Sequence, residues 1–159
     1  MNHLFATWRM DYVTAPSHEG CIFCDFPAEK RDKENHILYR GTKCFVIMNI
    51  YPYNPGHIMI APYRHTNLYE SLESEENAEI GRLASEAVCT LKRAMSPEGF
   101  NIGMNLGKTA GAGIADHLHL HIVPRWNGDC NFMPVLTNTR VVPEALSATY
   151  NKLKECWGI

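Results

Sequence analysis

Three histidines at alternate positions, His117, His119 and His121, are the residues of this sequence whose types and spacing best suit chemistry. Side chains alternate across a β-strand, so the three imidazoles are predicted to share one face while the apolar residues between them face the core. Imidazole is a good nucleophile towards phosphorus at neutral pH, and a neighbouring imidazole can protonate a leaving group. The pattern therefore indicates nucleophilic chemistry at phosphorus. The alternatives are a solvent-facing strand and a metal ion that performs the chemistry, because His-x-His pairs are common ligands.

The loop before these histidines, residues 107–113, contains three glycines. Glycine allows backbone N–H groups to approach a phosphate closely, although a plain connector explains the loop as well. It is not a Walker loop, because its Gly-Lys-Thr run does not open a helix. Lys108 and Arg125 are further candidates to neutralise phosphate charge, and for both a solvated side chain is the simpler interpretation. Four aromatic residues are candidates to stack on a base or to pack in the core: Phe5, Phe45, Tyr51 and Tyr53.

The pair Cys21 and Cys24 has the spacing of zinc ligands, but no second Cys-x-x-Cys or His-x₃-His pair follows locally. A thioredoxin-like redox pair and two unrelated thiols are the alternatives. The redox interpretation is weakened because residues 15–35, rich in Pro, Gly and charge, are predicted to form a loop. The remaining cysteines stand apart and are predicted to be reduced, mostly buried thiols: Cys44, Cys89, Cys130 and Cys156.

The elements that must position these residues follow from hydrophobic periodicity. Short strands are predicted at residues 36–40, 43–49, 57–61, 100–105 and 117–124. Apolar residues at three- and four-residue spacing predict a long helix between residues 73 and 95, with Ser74 as its N-cap, and a shorter helix at residues 143–157. This order indicates an α+β fold with a mainly antiparallel sheet, one face of which is covered by the long helix.

Size, charge and composition limit the classes of function. A chain of 159 residues with 45% hydrophobic residues fits one compact domain with a proper core. A net charge of -2 gives no broad electrostatic support for binding nucleic acid or a membrane surface. Residues 1–14 lack the apolar core of a signal peptide and form an arm expected to pack on the body or a partner, and no stretch suits a membrane span. The expected location is the cytoplasm.

Residues 117–123 match the His-φ-His-φ-His-φ-φ signature, where φ is apolar, and the sequence resembles the histidine triad family. The likeness extends to Asn49-x-x-Pro52-x-x-Pro55-Gly56-His57 and to the Ile60-Ala61-Pro62 run that follows it. The N-terminal Trp8-Arg9 and Tyr12, the Cys21–Cys24 pair and the tail at residues 124–134 are similar to the bacterial branch that contains diadenosine tetraphosphate phosphorylases. This resemblance implies a five-stranded fold of that family and covers nearly the whole chain.

The resemblance also implies roles in the cleavage of a nucleotide phosphoanhydride. His119 would attack the α-phosphorus and carry the nucleotidyl group, with its ring fixed by the backbone carbonyl of His117. His121 would help to protonate the leaving oxygen, and His57 would complete the site by contacting His119 or the phosphate. Asn49 would hold the ribose, and Asn105 would contact the phosphate or the bridging oxygen. The loop at residues 107–113 would close around the phosphate chain, with contacts from Gly111, Ala112 and Gly113.

A structural zinc ion is implied by the same resemblance. Its four ligands would be Cys21, Cys24, His65 and His117, a closed Cys₂His₂ set that would tie the N-terminal loop to the histidine strand. His36 and His18 are the reserve ligands. The apolar residues after the strand, Trp126 and the run at 132–134, would close the pocket or form the contact of a homodimer whose central strands meet in one sheet.

The sequence therefore predicts one histidine triad domain over residues 1–159. Its parts are an arm and zinc loop at residues 1–35, a catalytic core at 36–135 and a C-terminal helix at 136–159. The expected substrate is an adenine nucleotide or a dinucleoside polyphosphate, with water or inorganic phosphate as the acceptor. A regulatory nucleotide-binding module with negligible turnover and a metal-dependent hydrolase stay open as alternatives.

Overall fold

The computed structural model describes residues 20–129 and 144–158, and in this part of the chain three α-helices pack on one five-stranded sheet. The helices are α1 (Ile22–Glu29), α2 (Ser74–Met95) and α3 (Leu146–Cys156). The strands are β1 (Ile37–Arg40), β2 (Cys44–Met48), β3 (Ile58–Pro62), β4 (Gly99–Met104) and β5 (Leu120–Arg125). The strand order is β1-β2-β3-β5-β4, and every neighbouring pair is antiparallel. The predicted α+β class is therefore confirmed.

Helices α2 and α3 cover one face of the sheet. Along α2 the buried side chains recur every three or four residues, which gives one apolar stripe towards the strands. The stripe meets every second residue of the central strands, because strand side chains alternate between the two faces. Fully buried members of this core include Val46, Ile58, Ile60, Leu83, Leu91 and Ile122.

A second, smaller apolar cluster lies on the opposite face of the sheet. There Phe23 of α1 packs among alternate residues of β2 and β3, namely Phe45, Ile47, Met59 and Ala61. Met59 is the register partner of His121, so the histidine face of β5 belongs to this side. Helix α1 therefore covers one end of the face that carries the histidines.

Helix α1 corrects the prediction of a loop across residues 15–35. The helix begins directly after Cys21 and includes Cys24, although Pro27 lies within it. Eight residues are too few for an isolated helix to be stable in water, so tertiary packing must hold it. Phe23, which is completely buried, supplies that packing.

Several predicted boundaries also change. Strand β5 begins at Leu120, so His117 and His119 precede it rather than lie within it. The N-cap of α2 is Glu73 and not Ser74, because Glu73 and Glu76 form a reciprocal capping box. Helix α3 begins at Leu146.

The single cysteines differ in exposure more than the sequence predicted. Cys44 is buried as expected, Cys156 is half-buried, and Cys89 lies exposed on α2. Some predictions fall outside the described residues, namely those on the N-terminal arm, on Phe5, His18 and Cys130, and on the run at 132–134. Among the described helices, none combines the length and the apolar character that a membrane crossing needs.

Candidate active site and metal centre

His57, His119 and His121 form one cluster at the start of β3 and β5. His57 Nε2 lies 2.9 Å from His121 Nδ1, and the ring centres of His119 and His121 are 4.7 Å apart. His57 and His119 are buried, with 0% and 5% of their surface exposed. The structure thus brings together the three residues predicted to be catalytic. The sequence predicted that His57 contacts His119 or the phosphate, and the structure adds a direct contact of its ring with that of His121.

The turn before β3 sets the position of His57. Gly56 has a φ of 79°, a left-handed conformation that suits glycine. A Cβ at Gly56 would lie 2.8 Å from Met95 Sδ and 3.0 Å from Leu91 Cδ2, so the turn packs directly on the end of α2. This close approach explains the Pro-Gly-His run and delivers His57 to the site.

Backbone hydrogen bonds determine which nitrogen of His119 carries the proton. His119 Nδ1 lies 2.8 Å from the carbonyl oxygen of His117, and a carbonyl can only accept. In the neutral ring Nδ1 therefore holds the proton, and Nε2 keeps its lone pair. The hydrogen bond that the sequence resemblance implied is present, and it leaves the lone pair on Nε2.

A parallel argument gives His121 the opposite tautomer. The backbone N–H of Tyr53 donates to His57 Nδ1 at 3.1 Å, so His57 carries its proton on Nε2. That N–H donates to His121 Nδ1, which leaves the His121 proton on Nε2. The site therefore offers a lone pair on one imidazole and an N–H donor on its neighbour.

Burial keeps both imidazoles neutral at physiological pH. It lowers the pKa of His119, since removal from water disfavours the charged form. Burial, followed by repulsion from His119, lowers the pKa of His121 to about 4. An unprotonated His119 is the form that attack requires.

A cavity of about 370 Å³ opens beside His121 and between β4 and the turn before β3. Asn105, predicted to contact phosphate, is on its wall, as are Tyr53 and Arg125. The ring of Tyr53 stacks on that of His121, with 6.0 Å between the ring centres. Because Tyr53 is 47% exposed, its ring is accessible to a base. Arg125 is held by a two-pronged ion pair with Asp129, so it is not a mobile surface cation.

Asn49, predicted to hold the ribose, lies beside the histidine cluster, because its backbone N–H donates to the carbonyl oxygen of His57 at 2.9 Å. Asn49 ends the strand pairing after β2, where its Oδ1 accepts the backbone N–H of Tyr51. Gly111, Ala112 and Gly113 belong to the loop between β4 and β5, and both glycines are exposed. Of the four aromatic candidates, Phe45 is a core residue and Tyr51 is exposed.

Cys21, Cys24, His65 and His117 converge at the end of β3, as the resemblance implied. Their ligand atoms all lie within 4.8 Å of one another. His117 Nδ1 is 3.2 Å from Cys21 Sγ, and His65 Nδ1 is 3.3 Å from Cys24 Sγ. Tetrahedral zinc with two thiolates and two imidazoles requires ligand separations of about 3.3 to 3.8 Å. The donor set and its spacing fit zinc.

The surroundings of the metal ligands support this fit. His117 Nε2 faces the carbonyl of Pro62 at 2.9 Å, so it must donate and its Nδ1 lone pair turns to the cysteines. Arg64, next to His65, is anchored to Glu76 of α2 at 2.6 Å. This ion pair ties the backbone next to His65 to α2.

Phe23 links the metal cluster to the catalytic cluster, and sequence reasoning missed it. Its ring lies 5.3 Å from that of His117 and 4.8 Å from that of His119. It stands between the two cysteines in the chain, so the segment that carries Cys21 and Cys24 also places an aromatic ring against His119. Its place inside Cys-x-x-Cys was the only signal available.

Fold and site together define the class: an antiparallel α+β domain whose site is made by alternating histidines at the start of a central strand. The chain belongs to the histidine triad family, since the family model of the HIT domain matches residues 30–128. It is 36% identical to the AP-4-A phosphorylase of Mycobacterium tuberculosis, over 99% of this chain and 85% of that one.

Two solved structures show the same fold. One is a Zn-bound histidine triad family protein from Mycobacterium smegmatis, with a TM-score of 0.70 and 25% identity over 86% of this chain and 92% of the other. The second is a histidine triad nucleotide-binding protein from Sulfolobus tokodaii, with a TM-score of 0.67 and 26% identity. That alignment covers 86% and 88% of the two chains.

Proposed function

We propose that this protein cleaves a dinucleoside polyphosphate through a covalent nucleotidyl intermediate on His119. The observation that carries the proposal is the pair of opposite tautomers at His119 and His121. A lone pair and an N–H donor, on rings whose centres are 4.7 Å apart, are what an in-line displacement at phosphorus requires.

The first half of the reaction forms a phosphorus–nitrogen bond. His119 Nε2 attacks the α-phosphorus, and the bond from that phosphorus to the bridging oxygen breaks. The electron pair of the broken bond goes to the oxygen, where His121 Nε2–H donates a hydrogen bond to the developing charge. The carbonyl of His117 stabilises the positive charge that His119 acquires, because it still accepts the Nδ1 proton.

In the second half an acceptor attacks the same phosphorus and the phosphorus–nitrogen bond breaks, which returns the lone pair to His119. We take inorganic phosphate as the acceptor. An anionic phosphate oxygen attacks without losing a proton, whereas water must lose one and His121 in this tautomer has no lone pair to accept it. The 36% identity to a phosphorylase supports the same choice.

The substrate class is supported by the shape of the site. The cavity beside His121 is large enough for the departing part of a nucleotide substrate, and Tyr53 offers an exposed ring for its base. Asn105 supplies amide groups towards the phosphate chain. The transferred nucleotide would lie on the other side of His119, towards Asn49 and the loop of Gly111, Ala112 and Gly113.

The acceptor is tested by incubating the protein with diadenosine tetraphosphate in the presence and absence of inorganic phosphate. Phosphorolysis gives ADP and ATP, whereas hydrolysis gives AMP and ATP. We expect ADP to replace AMP when phosphate is added. A product mixture that phosphate does not change would overturn the choice of acceptor and leave the intermediate untouched.

The nucleophile is tested with His119→Asn against the matched control His36→Asn. His36 lies outside the site, packs on Tyr150, and has a φ of 55° that asparagine adopts readily. We expect His119→Asn to reduce turnover by about 10⁴-fold or more and His36→Asn to leave it nearly unchanged. Equal turnover in the two variants would contradict the proposal and would favour a regulatory binding module.

A structural zinc at Cys21, Cys24, His65 and His117 belongs to this proposal. Four protein ligands would complete the tetrahedral set that zinc prefers, so the ion would have a structural role and would leave no position for substrate or activated water. Within this chain the zinc ligands hold α1 and the residues before β5 in place. The histidines then perform the chemistry.

A homodimer through β4 is also proposed. This strand is at one edge of the sheet, and Ile102 on it is 51% exposed. An exposed edge with an apolar side chain is a surface that proteins commonly cover, and a second copy pairing along β4 would extend the sheet. Such a contact would lie next to the cavity beside His121, whose wall includes Asn101 and Ile102.

A further inference from the structure

The carboxylate of Asp129 is the centre of a hydrogen-bond network to which the reaction described above assigns no role. Its side chain is only 11% exposed, and it accepts from Arg125 at 2.6 and 2.8 Å. Its Oδ2 also accepts the backbone N–H of Trp126 at 3.1 Å and the side-chain amide of Asn54 at 2.7 Å. Asn54 comes from a turn 75 residues earlier in the chain. The network therefore joins the end of β5 to the turn before β3.

Asn54 is held firmly by this network. Its side-chain Nδ2 donates to Asp129 and also to the backbone carbonyl of Pro124, at 3.0 Å. Its own backbone carbonyl accepts the N–H of His57 at 3.1 Å. The same short turn presents the N–H of Tyr53 to His57 Nδ1. Asn54 therefore holds the turn at residues 53–57, whose backbone contacts both the N–H and the ring of His57.

We propose that Asp129 is a positioning residue for the proton donor of the reaction, acting through Asn54 and His57 on His121. The inference rests on the proposed function, because it assumes that His121 assists the leaving group. Asp129 is not among the residues that line the cavity beside His121, whereas its partner Asn54 is. Asp129 holds the turn in the conformation in which the N–H of Tyr53 reaches His57, so that the His57 and His121 tautomers remain set.

The physical reason lies in the direction dependence of hydrogen bonds. Three consecutive bonds, from Tyr53 N–H to His57 and from His57 to His121 and onward to the leaving oxygen, must all be aligned. If the turn shifts by several tenths of an ångström, the bond to His57 Nδ1 weakens and the alternative tautomer becomes accessible. His121 would then present a lone pair, not a donor, to the leaving oxygen.

This role makes a prediction that ordinary structural damage does not. The stabilisation that a hydrogen-bond donor gives increases with the basicity of the leaving oxygen. Asp129→Asn should therefore slow the cleavage of an adenosine 5′-phosphate phenyl ester by about tenfold or more, a part of the roughly 10²- to 10⁴-fold that a general acid contributes. The p-nitrophenyl ester, whose phenolate is less basic, should lose about threefold or less. The plot of log kcat/KM against leaving-group basicity should become steeper.

The matched control is Asp32→Asn. Asp32, which precedes β1, also forms a two-pronged ion pair with an arginine, Arg40 of β1, at 2.7 to 3.1 Å, and neither residue lines the cavity beside His121. We expect Asp32→Asn to leave the rates of both esters unchanged. Asn54→Ala removes the same anchor from its other end and should reproduce the selective loss, which keeps the test valid if Asp129→Asn fails to fold.

A readout without turnover is the tautomer of His57 and His121, from ¹⁵N chemical shifts of their ring nitrogens. The wild type should show the proton on Nε2 in both rings, and Asp129→Asn should show a mixture. Equal losses on the two esters, or unchanged tautomers in the folded variant, would overturn the inference. Failure of the proposed function looks different, since the wild type would then cleave neither ester while the tautomers stayed as described.

Discussion

Loss of metal from Cys21, Cys24, His65 and His117 is expected to destabilise the fold while sparing the chemistry. The cluster joins α1, the segment after β3 and the residues before β5. Cys24 and His65 are 41 residues apart in the chain, and Cys21 and His117 are 96 apart. A metal bridge that closes such loops removes freedom from the unfolded chain, as a covalent cross-link does.

The size of the effect follows from the shorter loop. Chain entropy gives about 4 kcal/mol for cross-linking across 41 residues. For a protein of this length, each kcal/mol changes the melting temperature by about 2 to 4 °C, so demetallation should lower it by about 10 °C. Burial raises the pKa of Cys24 to about 11, so without metal this ligand is a neutral thiol that no longer links the segments.

The assay combines metal analysis, thermal melting by circular dichroism, and turnover well below the melting temperature. Cys24→Ser should melt like chelator-treated wild type, and its matched control Cys89→Ser, at an exposed position on α2, should melt like untreated protein. Equal melting temperatures for all four samples would refute the cross-link. Loss of all turnover at an unchanged melting temperature would refute a structural role and would support metal-dependent hydrolysis.

Three further predictions concern pH, the turn and the sheet edge. Below pH 6.5 the unfolded chain protonates His121, whereas the folded protein, in which the pKa of His121 is about 4, does not. The free energy of unfolding should therefore decrease by up to about 3 kcal/mol as the pH falls from 6.5 to about 4. In His121→Gln the free energy of unfolding, measured by urea denaturation, should depend less on pH. Gly56→Ala should lower the free energy of unfolding by about 1 to 3 kcal/mol and reduce turnover. The control Gly81→Ala, where an added Cβ meets nothing within 4 Å, should not lower the free energy of unfolding. In sedimentation velocity we expect the wild type to form the proposed β4 dimer, Ile102→Lys to be a monomer, and Leu68→Lys, at an equally exposed position, to remain a dimer. A dimeric Ile102→Lys would place the contact elsewhere.

The histidine site was predictable because its signal is local. Alternation alone places His119 and His121 opposite Leu118 and Ile122, and both apolar residues are in the core beneath α2. The metal ligands followed from a resemblance and not from spacing, since His65 and His117 are far from the cysteines in the chain. The predicted bounds of the strands and of the long helix were within a few residues of the observed ones, because the hydrophobic periodicity that predicts them spans only two to four residues.

The features that the sequence did not predict depend on tertiary contacts. Helix α1 has only eight residues and includes Pro27, so its periodic signal is weak, and it is stabilised by Phe23 packing on the histidines. The contact of His57 with His121 depends on the turn that Asn54 anchors. Asn54 is held by a hydrogen bond to Asp129, 75 residues later in the chain, and no local sequence pattern predicts that contact.

The covalent step on His119 is tested most directly by trapping. The protein is mixed with excess diadenosine tetraphosphate, quenched in alkali, where phosphoramidates survive, and digested for mass spectrometry. We expect one adenylate on the peptide that contains His119, and none in His119→Asn. A quenched wild type that turns over substrate yet carries no adenylate, or carries it on another residue, would contradict the account.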